Sequence, residues 1–280
     1  METTDNLSSR KSMRERKVFH GKRAKYLYEF LGWAFKNVDD WRFMNYGYAF
    51  DNQNDNPELL PQDEAERYCA QLYHVVASQV DLTGKTLLDV GTGRGGGSSY
   101  MHRYLKPRKT VGMDFASTAV ALCQKNGAGI DGLKYVQGNA MDMPFGDVEF
   151  DAVTNVESSH CYPDRSQFFR EVVRVLKPGG NFLYTDFTPS GSDADDEMAL
   201  WLDELKAAGF GDITSFNITK NVVKGLDADN ARRVEQINTR FPFGLRRMGK
   251  LWAGTTESWI YSDFKNGKRK YVIFRAVKPA

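Results

Sequence analysis

Leu87-Leu88-Asp89-Val90-Gly91-Thr92-Gly93-Arg94-Gly95-Gly96-Gly97 is the stretch from which the rest of the chain can be read. A short apolar run ending in an acid and a cluster of glycines predicts a buried strand that turns sharply into a helix. Lacking Cβ atoms, such a turn can take positive φ and let a nucleotide lie against the peptide groups at the helix N-terminus. Gly91, Gly93 and Gly96 satisfy G-x-G-x-x-G, and Asp114 closes the next apolar stretch, Thr110-Val111-Gly112-Met113, at the distance expected of a ribose-binding acid. Asp114 can also be read as a strand-end cap, but the glycine motif before it favours a ligand. Asp89 turns the reading away from a nicotinamide dinucleotide. A carboxylate just before the glycines repels a pyrophosphate and favours a cation such as the ammonium end of a methionine moiety, directly or through water.

Outward from this turn, strands are predicted at 86–90, 110–114, 133–136, 150–155 and 181–187, and helices near 97–105, 116–126 and 165–176. Such alternation is the mark of an α/β protein with a parallel sheet, helices on both faces and a ligand crevice at the carboxyl ends of its strands. Ser192 or Asp193 caps a further helix over 193–208, which Gly209 ends. Residues 212–219 read as strand six and 268–277 as a last, antiparallel strand. Between them, 221–262 is read as an insertion of two helices whose Phe241, Phe243, Leu245, Met248, Leu251 and Trp252 cover an apolar pocket. A helix over 62–80 leads into the first strand, and its His74 reads as a packed or capping residue.

The N-terminal part divides differently. Residues 1–12 are polar and without periodicity and read as a disordered tail; 13–61 form a helical arm followed by an aromatic lid containing Trp41, Phe43, Tyr46, Tyr48 and Phe50; 62–280 form the main domain. On the arm, Tyr26, Leu27, Phe30 and Leu31 oppose six basic residues. That apolar face needs a cover, either its own domain, a second protomer or a membrane surface. The expectation adopted is a homo-oligomer joined through the arm.

With 280 residues, 41% of them hydrophobic and 26% charged, the chain suits one soluble α/β domain with additions. A net charge of +2 supplies no field for nucleic acid, which is excluded as a partner. Cys69, Cys123 and Cys161 form no C-x-x-C pair, which argues against a disulfide framework or zinc site and for a reducing compartment. No metal-ligand spacing is visible. With no early apolar run of signal-peptide or membrane-span length, a cytoplasmic protein without integral membrane association is expected.

Three further segments sharpen the reading: Gly138-Asn139-Ala140, then Phe150-Asp151-Ala152-Val153-Thr154-Asn155-Val156-Glu157, then Glu171-Val172-Val173-Arg174-Val175-Leu176-Lys177-Pro178-Gly179-Gly180. In that order they resemble the successive motifs of the class I S-adenosylmethionine-dependent methyltransferases, over about residues 70–190. The resemblance implies a Rossmann-like seven-stranded sheet of order 3-2-1-4-5-7-6 and S-adenosyl-L-methionine as cofactor. It also implies Asp89 near the methionine ammonium, Gly91, Thr92 and Gly93 beneath that moiety, Asp114 on the ribose and Phe115 against the adenine. Asn139 and Ala140 are implied at the adenine edge, where most relatives carry Asp before the Ala, and Asn155 beside the cofactor.

Asn155-Val156-Glu157-Ser158-Ser159-His160-Cys161-Tyr162-Pro163, with "GGGSSYM" and "FMNYGYAF" upstream, is similar to the phthiotriolone and phenolphthiodiolone methyltransferases. It is similar as well to sterol, tocopherol and teleocidin-pathway C-methyltransferases, over about 40–190 and 255–278. His160, Tyr162 and Glu157 are the implied catalytic candidates, and Tyr46, Cys161 and Trp201 the implied substrate contacts. His160 can alternatively cap the next helix, and Glu157 can be buried and held by backbone donors. The function expected is methyl transfer to a hydrophobic secondary metabolite, at a carbon of a prenyl olefin, where the aromatic content of 13% offers π faces to a carbocation that goes on to cyclise. The alternatives are O-methylation of a lipid or phenolic polyketide, which needs a base, and a non-catalytic regulator that binds the cofactor.

Overall fold

Strand β1 (Thr86–Val90) is buried along its whole length, as a central strand covered on both faces must be. It pairs in parallel with β2 (Lys109–Asp114) on one side and with β4 (Phe150–Val156) on the other. The computed structural model describes residues 41–191 and 193–280, so the readings of the tail at 1–12, the arm at 13–40 and the oligomer it would join, and of Ser192 as a cap, lie outside the described residues. The seven-stranded sheet runs β3-β2-β1-β4-β5-β7-β6, with β3 at Leu133–Gln137, β5 at Leu176–Phe187, β6 at Gly211–Asn217 and the antiparallel β7 at Tyr271–Val277. This is the Rossmann-like order expected.

Helices α1 (Arg67–Ala77) and α2 (Gly96–Tyr104) supply Leu72, Tyr73, Val76, Tyr100 and Met101 to the apolar layer on one face of the sheet. On the other face, α4 (Arg165–Val175) and α5 (Ala194–Ala208) supply Phe168, Phe169, Val172, Trp201 and Leu205 to a layer built around Phe182, Tyr184 and Phe274. Helix α3 (Ser117–Asn126) covers β3 through Val120 and Cys123. Each such side chain contributes roughly 1.5–3 kcal/mol on burial.

Three boundaries differ from the sequence reading. Helix α4 stops at Val175 and β5 already begins at Leu176, because Pro178 lacks the N–H a helix needs and the chain goes directly into the ladder. The segment 61–66 is a 3-10 turn rather than the start of α1. The insertion carries three helices rather than two: α6 (Thr219–Arg240), α7 (Arg246–Trp252) and α8 (Trp259–Lys265). The Ser258 hydroxyl accepts the Tyr261 N–H and so starts the third.

Residues 41–50 have no regular structure, yet Phe43, Tyr46, Tyr48 and Ala49 are buried. Ion pairs clamp this strip. Arg42 reaches Asp63 at 2.6 Å and Glu66 at 3.1 Å, and Asp63 also takes Arg103 at 2.6 Å and the Tyr104 hydroxyl at 2.6 Å. Burial alone would raise the Asp63 carboxyl, but these donors hold it down at about 2. From α6, Arg233 pairs with Asp229 at 2.9 Å and donates to the carbonyls of Asn45, Tyr46 and Ala253 at 3.1, 3.0 and 2.9 Å. The strip therefore lies fixed between α1, α2 and α6, across the carboxyl ends of the strands.

Candidate active site

At the end of β1, Asp89 is wholly buried and accepts the hydroxyls of Ser98 at 2.5 Å and Thr154 at 2.9 Å, while Thr92 Oγ1 lies 2.5 Å from Ser98 Oγ. Burial pushes this carboxyl up to about 6 against the pull of those hydroxyls. Asp89 thus braces the turn from beneath.

The glycine turn is stitched to β2, since the N–H groups of Gly91 and Thr92 both donate to Met113 O, at 2.8 and 3.0 Å. Gly91 has φ +77°, and a Cβ there would stand 2.0 Å from Ser158 Oγ. At Gly96 a Cβ would lie 2.5 Å from the Arg42 carbonyl, which instead accepts the Gly96 N–H at 3.1 Å and seats the strip on the turn. Gly93 is the open part of the floor. A Cβ there would meet only Met44 Sδ, at 3.8 Å.

Asp114 ends β2 with one oxygen on the Gly93 N–H at 2.8 Å and the other on the Ala116 N–H at 2.9 Å. Burial raises its pKa while these amides pull it down, and each oxygen keeps a lone pair for a hydroxyl. Phe115, the next residue, is 50% exposed. A carboxylate, an open glycine floor and an exposed ring in sequence fit a ribose flanked by a flat base.

Two assignments on this side change. Asn139 spends its side-chain oxygen on the Met141 N–H at 3.1 Å, closing a turn beside the buried Ala140, so it offers an adenine amine only a shared acceptor. Asn155 has no exposed surface. Its amide ties Val90 O at 2.8 Å to the Tyr162 hydroxyl at 3.1 Å, while its oxygen is buried without a partner. It supports the turn from behind and shows no surface to the crevice.

Across the crevice, β4 passes into Glu157 at φ +49°. One oxygen of Glu157 takes both the Tyr46 N–H at 2.7 Å and the Tyr271 hydroxyl at 2.5 Å, and burial lifts the carboxyl to about 7. The structural alternative for this residue therefore holds. The chain then makes a 3-10 turn over Ser159–Cys161 that sets His160 against the end of β5. His160 Nδ1 lies 2.9 Å from Asp186 Oδ1, and the second Asp186 oxygen accepts the His160 N–H at 2.9 Å and the Ser159 hydroxyl at 2.7 Å. Asp186 is fully buried, whereas the His160 side chain is 31% exposed. Burial alone would lower the imidazole's pKa. The Asp186 charge outweighs it and raises the pKa well above 6.5, while His160 in turn holds the Asp186 carboxyl low. With the Nδ1 proton committed to Asp186, Nε2 carries the ring's remaining acid–base chemistry. The helix-cap reading of His160 fails, because Asp164 caps α4 by accepting the Gln167 N–H at 2.9 Å.

Behind the imidazole stands an aromatic wall. Phe187 lies 4.7 Å from the His160 ring, and Tyr46 packs 5.5 Å from Phe187 and 5.6 Å from Phe264. Cys161 adjoins His160 in sequence as a half-buried cysteine outside any disulfide. Tyr162 turns the other way: its hydroxyl meets Ser158 Oγ at 2.8 Å beside Gly91, and burial raises the phenol's pKa, which keeps it protonated and leaves no phenolate to accept a proton. Trp201 is not a substrate contact. At 2% exposure it packs in the core on Tyr184 and Phe274, with Arg165 over its ring at 4.8 Å, because its face of α5 meets the sheet. Of the aromatic and apolar residues of the insertion, Phe243, Met248 and Trp252 are 86%, 38% and 37% exposed. Sequence reasoning missed Asp186, although an acid closing the apolar run Phe182-Leu183-Tyr184-Thr185 is the same signal that singled out Asp114. Among the described residues no cluster of His, Cys, Asp or Glu could hold a metal ion, and no helix is long and apolar enough to cross a membrane.

Residues 88–184 match a family model described as a methyltransferase domain. A probable phthiotriol/phenolphthiotriol dimycocerosates methyltransferase of Mycobacterium ulcerans is 40% identical, over 78% of this chain and 82% of its own. A fatty-acid O-methyltransferase of Mycolicibacterium smegmatis is also 40% identical, over 86% of this chain and 85% of its own. Among solved structures, a geranyl diphosphate C-methyltransferase of Streptomyces coelicolor superimposes with TM-score 0.64 at 16% identity, covering 92% of this chain and 98% of that one. The cyclase SpnF does so with TM-score 0.67 at 22% identity, covering 92% and 95%. At these identities the two structures bear on the fold alone.

Proposed function

The chain belongs to the class I S-adenosylmethionine-dependent methyltransferases, and from that premise we propose that it methylates an oxygen of a long apolar acceptor, with His160 managing the charge at that oxygen. It is an enzyme of lipid or secondary metabolism, and S-adenosylmethionine is its cofactor. The bound cofactor supplies a sulfonium methyl for in-line displacement. The protein's task is then to position and desolvate the acceptor. Asp114 holds the ribose, Phe115 the adenine and residues 91–93 the methionine moiety. Asp114→Ala is expected to weaken S-adenosylmethionine binding by about 1–3 kcal/mol in calorimetry, and an unchanged affinity would remove Asp114 from the cofactor site.

The observation that carries the oxygen reading is the His160–Asp186 pair at 2.9 Å, a charge-oriented imidazole at the edge of an aromatic wall. Neutral His160 takes the proton of an alcohol or phenol through Nε2, and Asp186 stabilises the imidazolium that forms. A carboxylic acid is already ionised at neutral pH, and imidazolium His160 then pairs with it instead. The two relatives named for phthiotriols and for fatty acids support a lipid-like acceptor of one kind or the other. Their pH dependences have opposite signs. With a hydroxyl acceptor, kcat/KM rises as pH climbs through the raised His160 pKa; with a carboxylate it falls over the same interval.

The aromatic wall of Tyr46, Phe187 and Phe264 favours a second reading, methylation of a prenyl olefin with the carbocation held against π faces. Incubation with methyl-labelled cofactor and a panel of fatty acids, phenolic polyketides and prenylated indoles separates the readings. Label that alkali releases marks an ester, label on an ether oxygen marks a hydroxyl acceptor, and label on carbon overturns the oxygen reading.

A further inference from the structure

The tip of the insertion, between the end of α6 and the end of α7, combines three features. From residue 236 to 256 the chain carries four cations, Arg240, Arg246, Arg247 and Lys250, and no acid. Phe243 stands 86% exposed at the turn, and Met248 and Trp252, one helical turn apart on α7, are both exposed. Arg246 folds over the Phe243 ring at 5.7 Å and donates to Phe241 O at 3.1 Å, which fixes the turn that presents that ring. The tip also adjoins the crevice. Phe241 lies 5.9 Å from Trp41, where the strip that runs over the cofactor turn begins.

Exposed aromatic and thioether side chains interleaved with cations match a bilayer interface, where rings insert at headgroup level and cations meet lipid anions. A second copy of the chain fits less well, since a twofold contact would set these cations against themselves. We propose that residues 240–252 form an interfacial contact that seats the enzyme on an anionic phospholipid surface. Seated there, it would collect its acceptor from the membrane beside the crevice, a use that rests on the apolar-acceptor reading above; the contact itself does not.

Flotation of the full-length protein with vesicles of phosphatidylcholine, with and without a one-third share of phosphatidylglycerol, tests the proposal. Binding is expected to the anionic vesicles and to fall with added salt. Phe243→Ser with Trp252→Ser should lower the partition coefficient at least about tenfold. Arg247→Gln with Lys250→Gln should lower it roughly 25-fold, about fivefold for each lost cation. Thermal melts check that both variants stay folded. Failure of the wild type to float, or flotation unchanged in both variants, overturns the contact. So does light scattering in which the aromatic variant converts an oligomer to a monomer while still floating, which makes the tip a contact between copies. Methyl transfer to a long-chain fatty acid and a long-chain alcohol carried in cyclodextrin, without vesicles, is followed in parallel; its failure counts against the acceptor reading and leaves the vesicle result intact.

Discussion

Asp186→Asn is expected to lower kcat by roughly a hundred- to ten-thousand-fold while leaving the affinity for S-adenosylmethionine nearly unchanged. An amide in this buried place can still hydrogen-bond, but it supplies no negative charge to an imidazolium and can turn an N–H towards Nδ1, which shifts the proton to Nε2 and removes the base. The sign of the pH effect separates this role from a structural one. Asp186 raises the His160 pKa, so its loss moves the titration limb of kcat/KM to lower pH as the plateau drops. Asp186→Glu, which keeps the charge, should recover part of the rate and return the limb towards its original position. His160→Ala should lose comparable rate and have no such limb. A variant with normal turnover, or with the limb unmoved, would make Asp186 only a brace for the Ser159–Cys161 turn.

The second large effect is on stability. Arg233→Leu is expected to cost about 3 kcal/mol, lowering Tm by roughly 6–12 °C in a melt followed by circular dichroism. Arg233 is buried, and its loss weakens the neutralisation of Asp229 and leaves the carbonyls of Asn45, Tyr46 and Ala253 without their shared donor. Arg232 still reaches Asp229, which limits the damage to the charge. Because the carbonyls of Asn45 and Tyr46 belong to the strip, the acceptor KM should rise as well. A melt unchanged within about 1 °C would show that the clamp adds nothing beyond packing.

What could be read from the sequence was what two-sided burial imposes. β1, β4 and the second half of β5 are buried almost throughout because helices cover both faces, and Gly91 and Gly96 announce a turn whose backbone approaches its neighbours too closely for a Cβ. Residues whose role depends on a distant partner were harder. Asp186 acquires its meaning only when β5 lies beside β4 and delivers the carboxylate to His160, 26 residues away. Trp201 and Phe243 erred in opposite directions for one reason. An aromatic side chain in a strand-poor stretch signals apolar surface without saying whether it faces a core, a pocket or solvent, and here the first is in the core and the second is outside. Arg233 likewise acquires its partners only when the strip at 41–46 folds across α6.

The position of β7 bears on the order in which this protein can be made. The last strand of the sheet in chain order is not at its edge: it enters between β5 and β6, and its Tyr271 hydroxyl meets Glu157, which also holds the backbone of Tyr46. Until residues 271–277 have left the ribosome, β5 has an open edge, β6 has no neighbour and the crevice lacks one wall. A growing chain can assemble the glycine turn early, from β1 and β2, whereas the wall that Tyr271 shares with Glu157 and Tyr46 waits for β7. A chain cut before Tyr271 would therefore keep the glycine turn and lose that wall.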